Sequence, residues 1–398
     1  MNPNLDRLPL YPFERLAALK AGVEPPSDLE HIAMSIGEPR HAPPPFVVEA
    51  LRQSAHDLGR YPMAPGSNAF RAAAANWLNR RFGLIGGGVD PATMVLPVGG
   101  TREGLFAFVQ AVVDSSRDPV VLMPNPFYQI YEGAALLANA KPVYMNTWEQ
   151  NEYLPDLESV GPDIFRRCQL LFICSPGNPT GAVLDADFLE RVIALADEFD
   201  FIIAADECYS EIYLDEDEPP TGLLEVCQQI GRVDFRRCVV FHSLSKRSSV
   251  PGLRAGFVAG DADVMKSFRL YRTYHGCAIP FHTEVAAIAA LSDDDHVRQN
   301  RAMYREKFDA VLPVLEPVLK VSRPEAGFYL WLQVDDDDEV FTRELFASKN
   351  VTALPGSYLA RDTESGNPGR HRVRLSLVAP VMQCVDAAER IRDFVTGS

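Results

Sequence analysis

No two of the seven cysteines stand in a C-x-x-C pair. Their number is odd and the nearest two, Cys168 and Cys174, are six apart. A disulfide framework is excluded, and reduced core thiols in a cytosolic protein are the expectation. The eight histidines show no H-x-x-x-H or H-E-x-x-H spacing, which argues against a zinc site. There is no 18-residue apolar run, so no membrane-spanning helix is expected. The opening MNPNLDRLPLYPF carries an acid and lacks an apolar stretch, unlike a signal peptide. Internal repeats are also missing. Basic residues are in deficit, 38 Lys and Arg against 54 Asp and Glu, for a net charge of −16. That balance disfavours nucleic-acid binding and any regulator that works through it. An anionic substrate must then be held by local arginines against the overall field.

What remains is ordinary globular composition, 47% apolar and 23% charged over 398 residues, enough for about two domains. Apolar runs at 93–98, 119–124, 170–175, 201–207, 239–244 and 256–260 read as strands. Amphipathic stretches at 102–113, 128–139 and 185–199 read as helices between several of them. Strands that each feed a helix indicate a parallel, doubly wound sheet covered on both faces. Residues 1–45 are Pro-rich and read as irregular. Beyond about residue 285 come a long helical stretch, 293–319, and alternating segments at 327–334 and 371–378. The expected division is a large domain, 46–285, and a smaller α+β domain made of 1–45 and 286–398. The acidic run Asp335–Glu339 reads as a solvated turn before a helix, not as a metal site.

A doubly wound sheet binds ligands beyond the carboxyl ends of its strands, so residues just after the strands are the site candidates. After 170–175 comes Ser175-Pro176-Gly177-Asn178-Pro179-Thr180-Gly181, a constrained loop with Asn178 as its central donor and acceptor. The next strand ends in Asp206, with Tyr209 three residues on. A carboxylate there must cap a helix or face a cationic nitrogen. The following strand ends in Ser243-Leu244-Ser245-Lys246, with Arg254 eight residues after the lysine. An amine in a dry setting loses basicity and becomes a nucleophile. Gly99-Gly100-Thr101-Arg102 lies between a strand and a helix, where backbone N–H groups attract an anion. It matches neither G-x-G-x-x-G nor G-x-x-x-x-G-K-[ST]. Together these loops offer a reactive lysine, a phosphate cradle, a carboxylate for a ring nitrogen, and Asn and Tyr for a ring hydroxyl. That set describes a pyridoxal 5'-phosphate (PLP) pocket.

These residues resemble the class I/II aminotransferases of PLP fold type I over nearly the whole chain. The resemblance rests on S-x-x-K…R (Lys246, Arg254), N-P-T-G (Asn178) and D-x-x-Y (Asp206, Tyr209) in that order. It implies a large domain with a mostly parallel sheet between helices, plus a smaller α+β domain. It implies that Lys246 is the Schiff-base lysine and moves the proton. Asp206 would pair with the pyridinium nitrogen, which makes the ring an electron sink. Tyr209 and Asn178 would bond the phenolic oxygen. Ser243 and Arg254 would hold phosphate, with Gly100, Thr101 and Arg102 adding mostly backbone N–H groups. Tyr128 would stack on the ring, with Phe127 as the neighbouring alternative. Arg374 would fork onto the substrate α-carboxylate, as lysine would do poorly. Strand alternation alone leaves Arg372 open, and the family pattern chooses Arg374. Gly37 of the N-terminal arm would close over that carboxylate. Tyr61 would reach the phosphate of a partner subunit, implying a homodimer with shared sites.

The segments 37–45, 61–82 and 271–280 look like the succinyldiaminopimelate aminotransferase branch of bacterial lysine biosynthesis. The implied reaction converts N-succinyl-LL-2,6-diaminopimelate and 2-oxoglutarate to N-succinyl-2-amino-6-oxopimelate and L-glutamate. The alternatives are an aspartate, alanine or aromatic aminotransferase, or a β-lyase on the same scaffold. The extra carboxylates of the succinylated substrate call for extra cations, and Arg40, His41 and Arg272 are the candidates by position.

Overall fold

The apolar runs pair into one seven-stranded sheet. The structure, a computed structural model, describes residues 1–397. Its strands in chain order are β1 (Ile32–Ala33), β2 (Val95–Val98), β3 (Val120–Asn125), β4 (Lys141–Asn146), β5 (Cys168–Cys174), β6 (Ile202–Asp206), β7 (Cys238–Ser243), β8 (Gly256–Gly260), β9 (Tyr329–Gln333), β10 (Val351–Thr352), β11 (Leu354–Pro355) and β12 (Arg372–Ser376). The large sheet runs β2-β8-β7-β6-β5-β3-β4. Most neighbours are parallel, but β8 is antiparallel to both β7 and β2. The expectation of a parallel strand at 256–260 is therefore corrected. A parallel crossover needs a dozen or more residues, usually with a full helix between the strands. The β7–β8 link holds only the four-residue helix Leu244–Arg247 and a 3-10 turn, so the chain doubles back.

That reversal places the site. Val98, Ser243 and Gly256 come level at one edge of the sheet. Arg254, which precedes β8, thus arrives at the same edge as residues that follow β2, β5, β6 and β7. A parallel β8 would have sent it to the opposite edge.

The helices form where amphipathic periodicity indicates. Thr101–Val112, Ile130–Leu137 and Ala186–Phe199 match the expected stretches, the last capped by the Asp185 carboxylate on the Phe188 N–H at 2.7 Å. Two apolar clusters line opposite faces of the large sheet. β4 carries no strand signal in the sequence, because it opens with exposed Lys141 and half-buried Pro142; proline is tolerated there since β4 is an edge strand. Residues 1–45 are not wholly irregular either: they hold the helix Pro12–Leu19, and β1 pairs in parallel with β10.

A second core lies around the antiparallel sheet β11-β12-β9. Helices Asp295–Leu315 and Val381–Thr396 cover it, and Ile32 and Met34 of the N-terminal segment enter it. The acidic run does precede a helix: Asp337 caps Asp338–Lys349 through the N–H groups of Glu339 and Val340. Asp338 is nevertheless buried and accepts from the Ser357 N–H at 2.9 Å, so the run is not wholly solvated.

Candidate active site

Residues from both sheets and the N-terminal arm enclose a cavity of about 720 Å³ at the carboxyl edge of the large sheet. Gly37, Thr101, Arg102, Tyr128, Asn178, Asp206, Tyr209, Ser243, Lys246, Arg254 and Arg374 all line it. Gly100 abuts it. It adopts φ +87°, and a Cβ there would collide with the Arg254 guanidinium. The positive φ calls for glycine, and the missing side chain leaves the Arg254 guanidinium in its place.

Lys246 sits at the cavity wall and donates to the Gly37 carbonyl. Burial lowers its amine from 10.5 to about 8. Asp206, at the end of β6, is 2% exposed and has no ion-pair partner among the described residues. Its carboxyl is pushed up by burial and held back chiefly by the Tyr131 hydroxyl, which donates at 2.6 Å. Tyr131 is fully buried, stacked on Phe172 with centroids 4.4 Å apart. The Tyr209 hydroxyl shares a 2.8 Å hydrogen bond with that of Tyr329. Tyr329 also lies under the Arg374 guanidinium, 4.4 Å from its ring centre, and its hydroxyl occupies the space a Cβ at Gly37 would need.

Arg374 is 4% exposed and donates from Nη1 to Asn178 Oδ1 at 2.9 Å and from Nη2 to the Ser35 carbonyl at 2.7 Å. Its Nε has no partner. Arg372 instead turns to Glu149 at 2.6 Å, which separates the two arginines that alternation left open. Tyr128 faces the cavity, while Phe127 is buried against Tyr144. Arg102 contributes a side chain as well as backbone, with Nε donating to the Tyr128 hydroxyl at 2.6 Å. Arg254 donates to the Gly99 carbonyl at 3.2 Å, and Ser243 Oγ accepts from the Ser245 N–H at 3.1 Å. Tyr61 is fully exposed and does not line this cavity.

Three sequence candidates are corrected. Arg272 is 1% exposed and its Nη1 is bound to Glu103 at 2.6 Å. His41 Nδ1 bonds Asn300 at 2.7 Å. Arg40 is exposed, and none of the three lines the cavity. Position along the chain suggested them, but their partners lie on other elements. Glu103, His275 and Cys277 come within ligand distance of one another, yet both Glu103 oxygens are already engaged, by Arg272 and by the Gly99 N–H. Sequence reasoning missed Tyr131 and Tyr329. The spacing of Tyr131, one turn after Tyr128, was the available signal.

The model of the family described as aminotransferase class I and II matches residues 30–391. The chain belongs to the class I and II aminotransferases. A crystal structure of an aminotransferase from Neisseria meningitidis superposes with TM-score 0.95 at 47% identity, covering 99% of this chain and 100% of that one. An LL-diaminopimelate aminotransferase of Nitratidesulfovibrio vulgaris (strain DP4) is 32% identical and 97% of each chain is covered. A probable N-succinyldiaminopimelate aminotransferase from Thermus thermophilus superposes with TM-score 0.83 at 27% identity, covering 96% of this chain and 99% of that one. The fold is therefore that of fold type I, and the cofactor of the family is pyridoxal phosphate. The residues present fit that group. A buried carboxylate lacks a cation, a dry amine faces the same cavity, and a glycine beside an arginine at a helix N-terminus leaves room for a phosphate.

Proposed function

We propose that this aminotransferase moves the amino group of N-succinyl-LL-2,6-diaminopimelate to 2-oxoglutarate, giving N-succinyl-2-amino-6-oxopimelate and L-glutamate, in lysine and diaminopimelate biosynthesis. The observation that carries an amino-acid substrate is Arg374. It is a buried guanidinium with an unpaired Nε, in the same cavity as Lys246 and apart from the arginine beside the glycine loop. Of the three arginines in the cavity, Arg102 and Arg254 lie at the glycine loop and Arg374 on the other sheet, which suits two anions, a cofactor phosphate and a substrate carboxylate. The diaminopimelate skeleton is supported by the names of the Nitratidesulfovibrio and Thermus proteins, which share it.

When bound, pyridoxal phosphate supplies an aldehyde that takes up the amino group and a pyridinium ring that withdraws electrons. In this reading Lys246, an amine largely deprotonated above about pH 8, is the nucleophile and carries the proton at the substrate Cα. Asp206, held as an acceptor by Tyr131, would pair with the ring nitrogen. Tyr209 and Asn178 would bond the phenolic oxygen. Gly100, Thr101, Arg102, Ser243 and Arg254 would bind phosphate, and Tyr128 would cover the ring. Arg374 and Gly37 orient the α-carboxylate. The exposed Tyr61 serves the phosphate of a second subunit in a cytoplasmic homodimer. No helix among the described residues is long and apolar enough to cross a membrane. The same proposal divides the chain into 46–285 and 1–45 with 286–398; the separate cores of the two larger sheets support two domains, but the boundary at 285 cuts the helix Phe281–Leu291, whose Ala286, Ala287, Ala290 and Leu291 pack in the large-sheet core.

A second reading, a smaller amino acid such as aspartate, alanine or phenylalanine, is favoured by one observation. Arg40, His41 and Arg272 do not line the cavity, whereas Glu38 does and would repel a distal carboxylate. The test is a half-reaction panel followed by the absorbance of bound cofactor. It compares succinyldiaminopimelate, LL-diaminopimelate, acetylornithine, aspartate, alanine and phenylalanine, with glutamate as reference. Preference for the succinylated compound is expected; faster turnover of aspartate, alanine or phenylalanine would assign the second reading.

A further inference from the structure

The helix that carries Lys246, Leu244–Arg247, is only four residues long. A helix end leaves its last carbonyls without intrahelical partners. Here the Ser248 N–H returns to the Leu244 carbonyl. The carbonyls of Lys246 and Arg247 are met by one side chain, Asn300, whose Nδ2 donates to them at 3.0 and 3.2 Å. Asn300 is 3% exposed and sits on the distant helix Asp295–Leu315.

With both amide hydrogens used this way, Asn300 Oδ1 must accept. Its partner is His41 Nδ1 at 2.7 Å, so that nitrogen carries the ring proton. His41 Nε2 then presents a lone pair, and Lys307 Nζ donates to it at 2.7 Å. Lys307 is 1% exposed and also donates to the Val378 carbonyl at 3.2 Å. Asn300, Tyr304 and Lys307 lie at i, i+4 and i+7, one face of the helix, and the Tyr304 ring packs on His41 with centroids 4.5 Å apart. Burial opposes charge on the imidazole and so does the Lys307 cation, while the bond to Asn300 favours it, and the net shift is downward. Cys384, Glu306 and Arg40 are the other charged or titratable groups acting on Lys307. On the arm itself, the His41 carbonyl accepts from Ser249 Oγ at 2.8 Å, and the Gly37 carbonyl accepts from Lys246 Nζ. The arm therefore holds the Lys246 amine through Gly37 and the nearby Ser249 through His41, and it reaches the Lys246 main chain by way of Asn300.

We propose that Asn300, His41 and Lys307 are positioning residues that fix the Lys246 main chain and make its placement depend on the docked arm, residues 37–41. The proposal rests on Lys246 being the cofactor-bearing amine. Displacing a reacting group by a fraction of an ångström costs rate more than ground-state binding.

The test uses the holoenzyme and the variants Asn300→Ala, Asn300→Asp, His41→Phe and Lys307→Met. The readouts are kcat, KM, thermal midpoint and the pH titration of the bound-cofactor absorbance. Both Asn300 variants should lower kcat about ten- to a hundredfold and shift the absorbance titration, with KM for the amino acid within about twofold. His41→Phe keeps the packing on Tyr304 but loses both ring nitrogens. It and Lys307→Met should move the same readouts in the same direction by less. A lower thermal midpoint with wild-type kcat and wild-type titration would overturn the proposal. If the Asn300 variants do not fold, His41→Phe decides by the same criterion. Borohydride reduction of the wild type with peptide mapping separates the two levels. A label away from Lys246 overturns the site reading and the proposal with it, whereas a label on Lys246 with wild-type behaviour of the variants overturns the proposal alone.

Discussion

Replacing Tyr131 by phenylalanine removes one oxygen and little else. The ring lies nearly flat on Phe172, at 12°, and that packing survives the change. What is lost is the 2.6 Å donation to Asp206. A hydrogen bond to a charged group contributes about 1.5–3 kcal/mol. If all of it appears in cofactor binding, the dissociation constant for pyridoxal phosphate rises about 10- to 150-fold. The pH dependence has a definite sign. Burial already raises the Asp206 carboxyl, and the Tyr131 hydroxyl opposes that rise. Without it the carboxyl stays protonated to higher pH, and only its ionised form pairs with a ring-nitrogen cation. The affinity deficit should therefore grow as pH falls. Titrating the apoenzyme with cofactor by absorbance at several pH values checks this, and an affinity within about twofold of wild type throughout would refute the reasoning. Asp206→Asn is the control. A carboxyl whose folded pKa is raised adds stability below its unfolded pKa and loses it as pH rises through the folded value. Once ionised it strains the apoenzyme, so Asp206→Asn apoenzyme should melt at or above wild type as pH rises through the folded value, while binding cofactor far more weakly.

Two further outcomes are expected. The Lys246 amine of the apoenzyme should react with a reductive methylating reagent along a pH profile centred near about 8, not 10.5, and a midpoint close to the latter would contradict its dry environment. As a lysine with a depressed pKa, it contributes stability above the unfolded value and loses it as pH falls through about 8. Arg374→Ala should raise KM for glutamate by the cost of losing a buried charged partner, about 2–5 kcal/mol, while cofactor stays bound. Arg372→Ala, whose guanidinium is occupied by Glu149, should leave KM near wild type, and equal effects of the two would contradict the placement.

The difference between what sequence showed and what it hid follows from how far apart interacting residues lie. Lys246, Asp206 and Asn178 each follow an apolar strand within a few residues, and a doubly wound sheet sends such positions to one edge. Local pattern and one topological rule were enough to gather them. Arg254 was found by its spacing from Lys246, yet the reason it reaches the cavity, the reversal of β8, depends on sheet pairing that no local run reveals. The polar partners were hidden for a related reason. Tyr131 is 75 residues from Asp206, and Asn300 is 54 from Lys246. Nothing in the composition of either segment says which buried oxygen or amide it will satisfy. Arg272 and His41 were misplaced because a cation near a site in sequence has no obligation to face it. A buried guanidinium goes where acceptors can satisfy it, and for Arg272 that is the carboxylate of Glu103, whose other oxygen holds the Gly99 N–H. The same requirement that burial be matched by a partner takes Arg272 away from the substrate and ties it to the glycine loop instead. Charged residues in such a sequence are thus better assigned by asking which buried group each must satisfy than by asking which ligand lies near it in the chain.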